Sequence, residues 1–412
     1  MSEQWRDNNE IQLLINGEEF FPAVFESIAQ AREEVLIETF IIYEDEVGKD
    51  LQRVLIEAAQ RGVRVEVLVD GYGTAELSNQ FLRELAEAGV HLQAFDPQPR
   101  VMGVRTNLFR RLHRKIAVID GEIGYVGGIN YSSDHLADSG EPMAKQDYAV
   151  RVRGPIVADL HRATLALLDQ TSKVSRKRTP WLTRSPAPDV DSASARLLLT
   201  IRDNNEHTTD IEDHYLKAIR GARERIIIAN AYFFPGYRFL RELRDAARRG
   251  VDVTLILQGM PDMPLVRLCS RLLYNYLLRD GVVIREYCQR PLHGKVAVVD
   301  REWSTVGSSN LDPLSLSLNL EGNLIIKDRR FNERLHDHLQ ELAHSTCKSI
   351  SLQRVLRGYW WRAPIIFLTF HFLRHFPALV GFIPAHSPKL VPLIDVESQH
   401  CQAPALNQKE TV

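Results

Sequence analysis

LHRKIAVIDGEIGYVGGIN, residues 112–130, decides the reading of this chain because it occurs twice; its second copy is LHGKVAVVDREWSTVGSSN, residues 292–310. In each copy a His is followed at fixed spacing by a Lys and an Asp, giving His113, Lys115 and Asp120, then His293, Lys295 and Asp300. Each copy then runs through a Gly-containing turn that ends in Asn, at Asn130 and Asn310. The apolar runs IAVID and VAVVD are strand-like, so a His and a Lys two residues apart project from one face. Two such strands facing each other bring two imidazoles and two ammonium groups to one point. That combination makes an anion site with a nucleophile on one side and a proton donor on the other.

Working outward, the two half-chains repeat each other. IIIANAYFF (226–234) answers VLIETFIIY (35–43), RGVDVTLILQG (249–259) answers RGVRVEVLVDG (61–71), and DGVVIREY (280–287) answers AGVHLQAF (88–95). Self-similarity on this scale indicates a duplicated domain. Strands alternate with helices at about 20–32, 48–61, 77–88 and 331–344. That order predicts an α/β fold in which each half is a mixed, mainly parallel sheet flanked by helices, with the active site at the pseudo-two-fold interface. The predicted organisation is a first domain at 1–170, a linker at 171–195, a second domain at 196–345, an aromatic and basic segment at 346–390 and a disordered tail at 391–412.

The halves differ ahead of the motif. Phe95 precedes His113 by 18 residues, whereas Tyr287 precedes His293 by 6. The extra stretch carries Arg100, Arg105, Arg110 and Arg111 among apolar residues, with no acid between Asp96 and Asp120. Charge runs commonly face water, but here the position beside the reactive His favours a phosphate or lipid headgroup contact by Arg105, Arg110 and Arg111. Towards the C-terminus, eight aromatic residues lie between Tyr359 and Phe382, Trp360 and Trp361 among them, and no Asp or Glu falls between Leu342 and Ile394. Arg362, Pro364, His371, Arg374, His375 and Pro377 interrupt the apolar run too often for a membrane span. A core helix closing the second domain would account for it, but aromatic and basic residues together are what a membrane interface favours, so this segment is expected to be an interfacial anchor.

The chain has 412 residues and a formal net charge of −2. It therefore exerts no global pull on nucleic acid, and anions must be drawn by local clusters. Its four cysteines form no CxxC pair and fit a reducing compartment. The polar N-terminus has no signal-peptide pattern. The expected location is the cytoplasmic side of the membrane.

A phosphodiester repels nucleophiles with its own charge. His113, Lys115, His293 and Lys295 would neutralise charge developing on its non-bridging oxygens, with Asn130 and Asn310 as neutral donors. No cluster in the sequence supplies the ligands of a metal, and chemistry without a metal or other cofactor is expected. One imidazole attacks phosphorus to give a phosphohistidine and the other protonates the departing alkoxide. A nucleophilic His needs a group to hold its tautomer. Asp147 in KQDYAV and Glu321 in LNLEGNL follow their motif histidines by 34 and 28 residues and are the candidate orienting acids. Asp120 and Asp300, though part of the motif, are expected to be buried structural acids that pair across the site.

The doubled HxKxxxxD pattern with its Gly turn and Asn resembles the phospholipase D superfamily over about residues 10–345. HRKIAVIDGEIGYVGGIN, KQDYAV, NAYFFPGYRFL and HGKVAVVDREWSTVGSSNLDPLSLSLNLE are similar to the bacterial cardiolipin synthases, most of all to the B type. The first turn reads GGIN where the superfamily has GSxN. The resemblance implies phosphatidyl transfer at a bacterial inner membrane, to which the protein binds peripherally. One phosphatidylglycerol donates its phosphatidyl group to a His, glycerol leaves, and a second phosphatidylglycerol attacks. It also implies His113 as nucleophile and His293 as acid and base, although near-symmetry leaves the reverse open. Rival readings are a hydrolase or nuclease of the same superfamily, a transphosphatidylase with another alcohol acceptor, and an inactive membrane scaffold.

Overall fold

The computed structural model describes residues 4–74, 77–97, 100–101, 104–105, 110–137, 144–169, 194–260, 273–356, 364–365, 368, 371 and 390–393. The first lobe runs β1 (Arg6–Ile15), α1 (Asn16–Ala29), β2 (Glu34–Thr39), α2 (Glu46–Gln60), β3 (Arg64–Asp70), α3 (Asn79–Glu87) and β4 (His91–Phe95). It continues with β5 (Arg100–Val101), β6 (Val104–Arg105), β7 (Ile116–Ile119), β8 (Ile123–Gly127), β9 (Tyr148–Arg153) and α4 (Ile156–Asp169). The second lobe repeats this order with β10 (Ala195–Arg202), α5 (Asp210–Gly221), β11 (Arg225–Asn230), α6 (Tyr237–Arg248), β12 (Asp252–Gln258), α7 (273–278) and β13 (Val283–Tyr287). After these come β14 (Lys295–Val299), β15 (Trp303–Gly307), α8 (Pro313–Ser317), β16 (Glu321–Lys327), α9 (Arg329–Ser345), β17 (Cys347–Ser349), α10 (Leu352–Leu356) and β18 (Leu390–Pro392).

Local chemistry explains the recurring pieces. Asp45, Ser78 and Asp328 cap α2, α3 and α9 by accepting backbone N–H groups of the first turn. The apolar stripe of α2, Leu51, Val54, Leu55 and Ala58, is buried. The RGV signature repeats because α2 and α6 both end on a glycine in the left-handed region, Gly62 at φ +89 and Gly250 at φ +90, from which the next strand starts.

The strands form one 16-stranded sheet in the order β17-β13-β12-β11-β14-β15-β16-β10-β1-β9-β8-β7-β2-β3-β4-β18. The lobes meet where β1 pairs antiparallel with β10. The sheet is mixed, but the expected mainly parallel character does not hold. Only β2-β3-β4 and β11-β12-β13 run parallel; all other pairings are antiparallel. The reason is connection length: helices return those two triplets, whereas the motif strands β7-β8 and β14-β15 are joined by tight turns that leave no room for a crossover. One buried core cluster draws on both lobes, from Leu13, Leu112 and Tyr148 to Leu292, Leu324 and Leu339.

Two further expectations change. Cys347–Ser349 is an edge strand on β13, so the second lobe's sheet reaches past residue 345. Leu390–Pro392 pairs antiparallel with β4, so the start of the expected tail is a strand on the first lobe. Both are three-residue edge strands, too short to show an alternating pattern. Linker residues 171–193 and the side chains of Arg105, Trp360 and Trp361 lie outside the described residues; the backbone of Arg105 lies in β6, paired with β5.

Candidate active site

The two motifs meet through a reciprocal set of backbone hydrogen bonds. His113 N–H donates to Leu320 O at 2.9 Å and Leu320 N–H to Arg111 O at 2.8 Å; across the pseudo-two-fold, His293 N–H donates to Gln146 O and Gln146 N–H to Pro291 O, both at 2.8 Å. Each motif is thus stitched to the residue just before the other lobe's candidate acid. The acids serve the opposite lobe as a result. His113 Nδ1 is 3.0 Å from Glu321 Oε2, and His293 Nδ1 is 2.6 Å from Asp147 Oδ2. Sequence reading chose both acids but paired neither across the lobes.

Both carboxylates are wholly buried. Ser308 Oγ donates to Glu321 Oε2 at 2.5 Å and accepts Gly322 N–H at 3.0 Å. Asp147 Oδ1 accepts Tyr148 N–H at 2.8 Å, while Asn16 clamps the Asp147 backbone with two bonds of 2.9 Å. Asn16 does this from the left-handed region, φ 62, which Asn tolerates better than most residues. With a carboxylate on Nδ1, each imidazole keeps Nε2 as the nitrogen left for chemistry.

The lysines lie beside them. Lys115 Nζ donates to His113 O at 2.8 Å, and Lys295 Nζ to His293 O. Lys295 Nζ also stands 3.0 Å from His293 Nδ1, competing with Asp147 for that nitrogen; the shorter contact to the carboxylate places the ring proton on Nδ1. Burial, opposed by Glu321, pulls the His113 pKa down to about 4, so this ring is a free base at neutral pH. Burial first, then Lys295 and Lys145, holds His293 well below the ordinary value. Burial brings Lys115 down to about 7 and raises Asp147 to about 6.

Further residues complete the frame, of which Asp70, Gln258, Phe40 and Tyr72 were absent from the sequence reading. Leu112 N–H donates to Asp70 Oδ2 at 2.8 Å, and Leu292 N–H to Gln258 Oε1 at 3.0 Å. Both acceptors end the RGV strands, so aligning the two repeats would have found them. Phe40 forms a wall on the first side: its ring is 5.1 Å from the His113 ring, and Lys115 Nζ lies 5.3 Å from its centroid. Arg111 stacks on Tyr72 at 4.1 Å and reaches Phe40 at 5.8 Å. Arg110 sits in the left-handed region at φ 67, where the extra stretch re-enters the motif. Asn130 and Asn310 are buried in their turns, each with an amide oxygen that has no hydrogen-bond partner among the described residues.

Asp120 and Asp300 do not pair across the site. Each terminates its strand, roughly 17 Å of extended chain beyond the motif Lys, with φ near 50°. Asp120 accepts the backbone N–H groups of Arg32, Glu33 and Glu34; Asp300 accepts those of Arg223, Glu224 and Arg225. They tie down the loops that enter β2 and β11, a structural task remote from phosphorus. The expectation that no cluster offers metal-type ligands is also revised: His135, Asp147 and His293 place donor atoms within 4.8 Å of one another. Lys115, Lys145 and Lys295 all act on this trio. Their charge makes the cleft an attractor of anions rather than of cations.

Two equivalent His–Lys pairs, each oriented by an acid from the other lobe, define a duplicated phosphodiester-handling enzyme whose single site needs both halves. The family described as cardiolipin synthase, PLD-like domain, matches residues 24–158 and 215–343, and the chain belongs to it. The chain is 56% identical to cardiolipin synthase B of Salmonella typhi over 388 residues, 94% of this chain and 93% of that one. It is 55% identical to cardiolipin synthase B of Escherichia coli K12 over the same shares. Among solved structures, phosphatidylserine synthase of Haemophilus influenzae superposes with a TM-score of 0.64 at 13% identity, covering 88% of this chain and 95% of that one. The polyphosphate kinase of Porphyromonas gingivalis gives 0.56 at 15% identity, covering 83% and 49%. The last two likenesses concern the fold.

Proposed function

We propose that this chain is a cardiolipin synthase that transfers a phosphatidyl group from one phosphatidylglycerol to another. The pair of cross-lobe His–carboxylate contacts carries this reading, because it gives one imidazole for each of the two tasks. His113 Nε2 attacks phosphorus and the P–O bond to glycerol breaks, while His293, which takes up a proton at Nε2 when the phosphodiester anion enters the site, delivers it to the leaving oxygen. A hydroxyl of the second phosphatidylglycerol then loses its proton to His293 and attacks the phosphohistidine, releasing cardiolipin and free His113. Lys115 and Lys295 hold the non-bridging oxygens through both steps. Arg111, with Phe40 and Tyr72 beside His113 and nothing equivalent at Pro291, supports the first motif as the nucleophile side.

The lipids are met at a bilayer surface. Among the described residues no helix is long and apolar enough to cross a membrane, which accords with peripheral binding. Arg105, Arg110, Trp360 and Trp361 are proposed as lipid contacts. Free Cys288 and Cys347 suit the cytoplasmic face of the inner membrane.

Purified protein given phosphatidylglycerol in detergent is expected to yield cardiolipin and glycerol in equal amounts. Phosphatidic acid without cardiolipin would overturn the reading in favour of a hydrolase. With labelled lipid, His293→Asn is expected to retain covalent label that His113→Asn cannot form.

A further inference from the structure

The two orienting acids occupy equivalent places but are supported differently. Glu321 Oε2 has both His113 and the Ser308 hydroxyl. The residue equivalent to Ser308 in the first turn is Gly128, and a Cβ there would come within 2.4 Å of Asp147 Oδ1. The carboxylate itself fills the space a serine would need, so Asp147 has no hydroxyl donor from this turn.

His135 stands on the other side of Asp147. It closes the short helical turn Ser133–His135 that follows the motif and is fully buried. Its Nε2 accepts Asn130 N–H at 3.4 Å, so the neutral ring carries its proton on Nδ1. That Nδ1 has no hydrogen-bond partner among the described residues and points at Asp147 Oδ2 from 4.0 Å. The ring lies 5.6 Å from the His293 ring, steeply inclined to it. A hydrogen bond needs an approach of about 1 Å more, and a buried N–H left without a partner is costly enough to favour it.

We propose that His135 is a positioning residue for the transfer, closing its Nδ1–H onto Asp147 in the loaded site and doing for Asp147 and His293 what Ser308 does for Glu321 and His113. The charged groups around it fit a permanent neutral donor. Burial, with Lys145, Lys295 and Lys115, outweighs Asp134 at 3.6 Å and takes its pKa down to about 3. A donor on Asp147 draws carboxylate charge away from His293 and keeps that ring a readier acid. The second lobe has Ser315 at the matching position, so the device belongs to the His293 half alone.

The inference rests on the proposed roles of His113 and His293, and the test separates the two. Three variants are compared: His135→Asn, which returns an amide near Nδ1; His135→Gln, which places it near Nε2; and His135→Leu, which removes the polar group. Cardiolipin formation by wild type and its loss in His293→Asn tests the roles; the ranking of the His135 variants tests the inference. His135→Leu and His135→Gln are expected to lower kcat by about 10–100-fold, as loss of a supporting hydrogen bond does. KM for phosphatidylglycerol stays within about twofold, and the pH limb belonging to His293 moves to higher pH. His135→Asn recovers kcat to within about threefold of wild type. Equal losses in the Asn and Gln variants, or a folded Leu variant with wild-type kcat, would overturn the proposal. Should the Leu variant not fold, the Asn and Gln pair still decides.

Discussion

Glu321→Gln keeps the shape of the group beside His113 and removes its charge. The carboxylate is wholly buried, with Oε2 3.0 Å from His113 Nδ1 and 2.5 Å from Ser308 Oγ. Bonding of Nε2 to phosphorus makes the ring cationic, and that charge then faces Glu321. With charge centres ~4 Å apart and an effective dielectric of ~20, the attraction is about 4 kcal/mol. At about 1.4 kcal/mol per decade, this is roughly three decades in rate. The amide can also offer its NH2 to the ring and turn the tautomer over, a fault that costs about four decades in other acid–histidine pairs. Phosphoenzyme formation should therefore fall about 10³–10⁴-fold. A rapid-quench single turnover with glycerol-labelled phosphatidylglycerol measures it as the first glycerol released per enzyme. Phosphatidyl-p-nitrophenol, whose leaving group needs no proton, separates the two dyads. On that substrate Asp147→Asn should regain most of its burst while Glu321→Gln stays slow. The opposite pattern would reverse the roles of the two histidines, and a Glu321→Gln burst within tenfold of wild type would refute the charge argument.

Gly128→Ser copies the second lobe's turn, yet it is expected to abolish synthesis, because the new Cβ meets Asp147 Oδ1. Overpacking of this kind costs about 1–3 kcal/mol, visible as a lower Tm together with the lost activity. With the Lys115 pKa at about 7, kcat/KM for phosphatidylglycerol should fall as pH rises through that value and the phosphate loses a counter-charge. The same shift acts on stability with opposite sign. The unfolded chain, with an ordinary lysine near 10.5, holds the extra proton between the two values, so this group makes the fold more stable as pH rises from about 7 to 10.5. Arg114→Met strands the buried Glu38 and should cost about 3–5 kcal/mol, much of it recovered in Glu38→Ala/Arg114→Met; chemical denaturation of the single and double variants measures this.

What the sequence disclosed was whatever the duplication repeats. His113 and His293, and Lys115 and Lys295, stand out because each has a partner at matching spacing; Asp147 and Glu321 stand out because each opens a similar strand-like stretch, 34 and 28 residues after its motif His. The α/β alternation was legible for the same reason. Pairings were not. A His followed by its own lobe's acid gives no sign that the acid crosses to the other lobe, since this depends on Leu112–Leu320 and Gln146–Leu292 bridging in space. The repeated spacing also suggested that Asp120 and Asp300 pair across the site, whereas their carboxylates bind backbone at the far ends of β7 and β14. His135 was invisible because the repeat has no second copy of it.

The asymmetry between the lobes is itself built in matched pieces. At the centre, Arg114 and Tyr148 belong to the first lobe, and their equivalents in the second are Gly294 and Gly322. The large residue of each position packs over the small one opposite: Tyr148 ring carbons lie 2.6 Å and 2.7 Å from where a Gly294 Cβ would stand, and Arg114 carbons lie about 3.5 Å from that of Gly322. Arg114 brings a charge into the core, and Glu38 answers it at 2.8 Å, where the second lobe has Ala229 and needs no acid. Repeating the first lobe's residues in both halves would set an Arg against a Tyr at each contact, a clash, and repeating the second lobe's would set Gly against Gly, a void. Once the pieces interlock in this way, the lobes can no longer exchange places. The two histidines then sit in different surroundings, one beside Phe40, Arg111 and a serine-supported glutamate, the other beside His135 and an aspartate. The division of labour proposed for nucleophile and acid accords with that packing, because identical neighbourhoods would have given both imidazoles the same basicity.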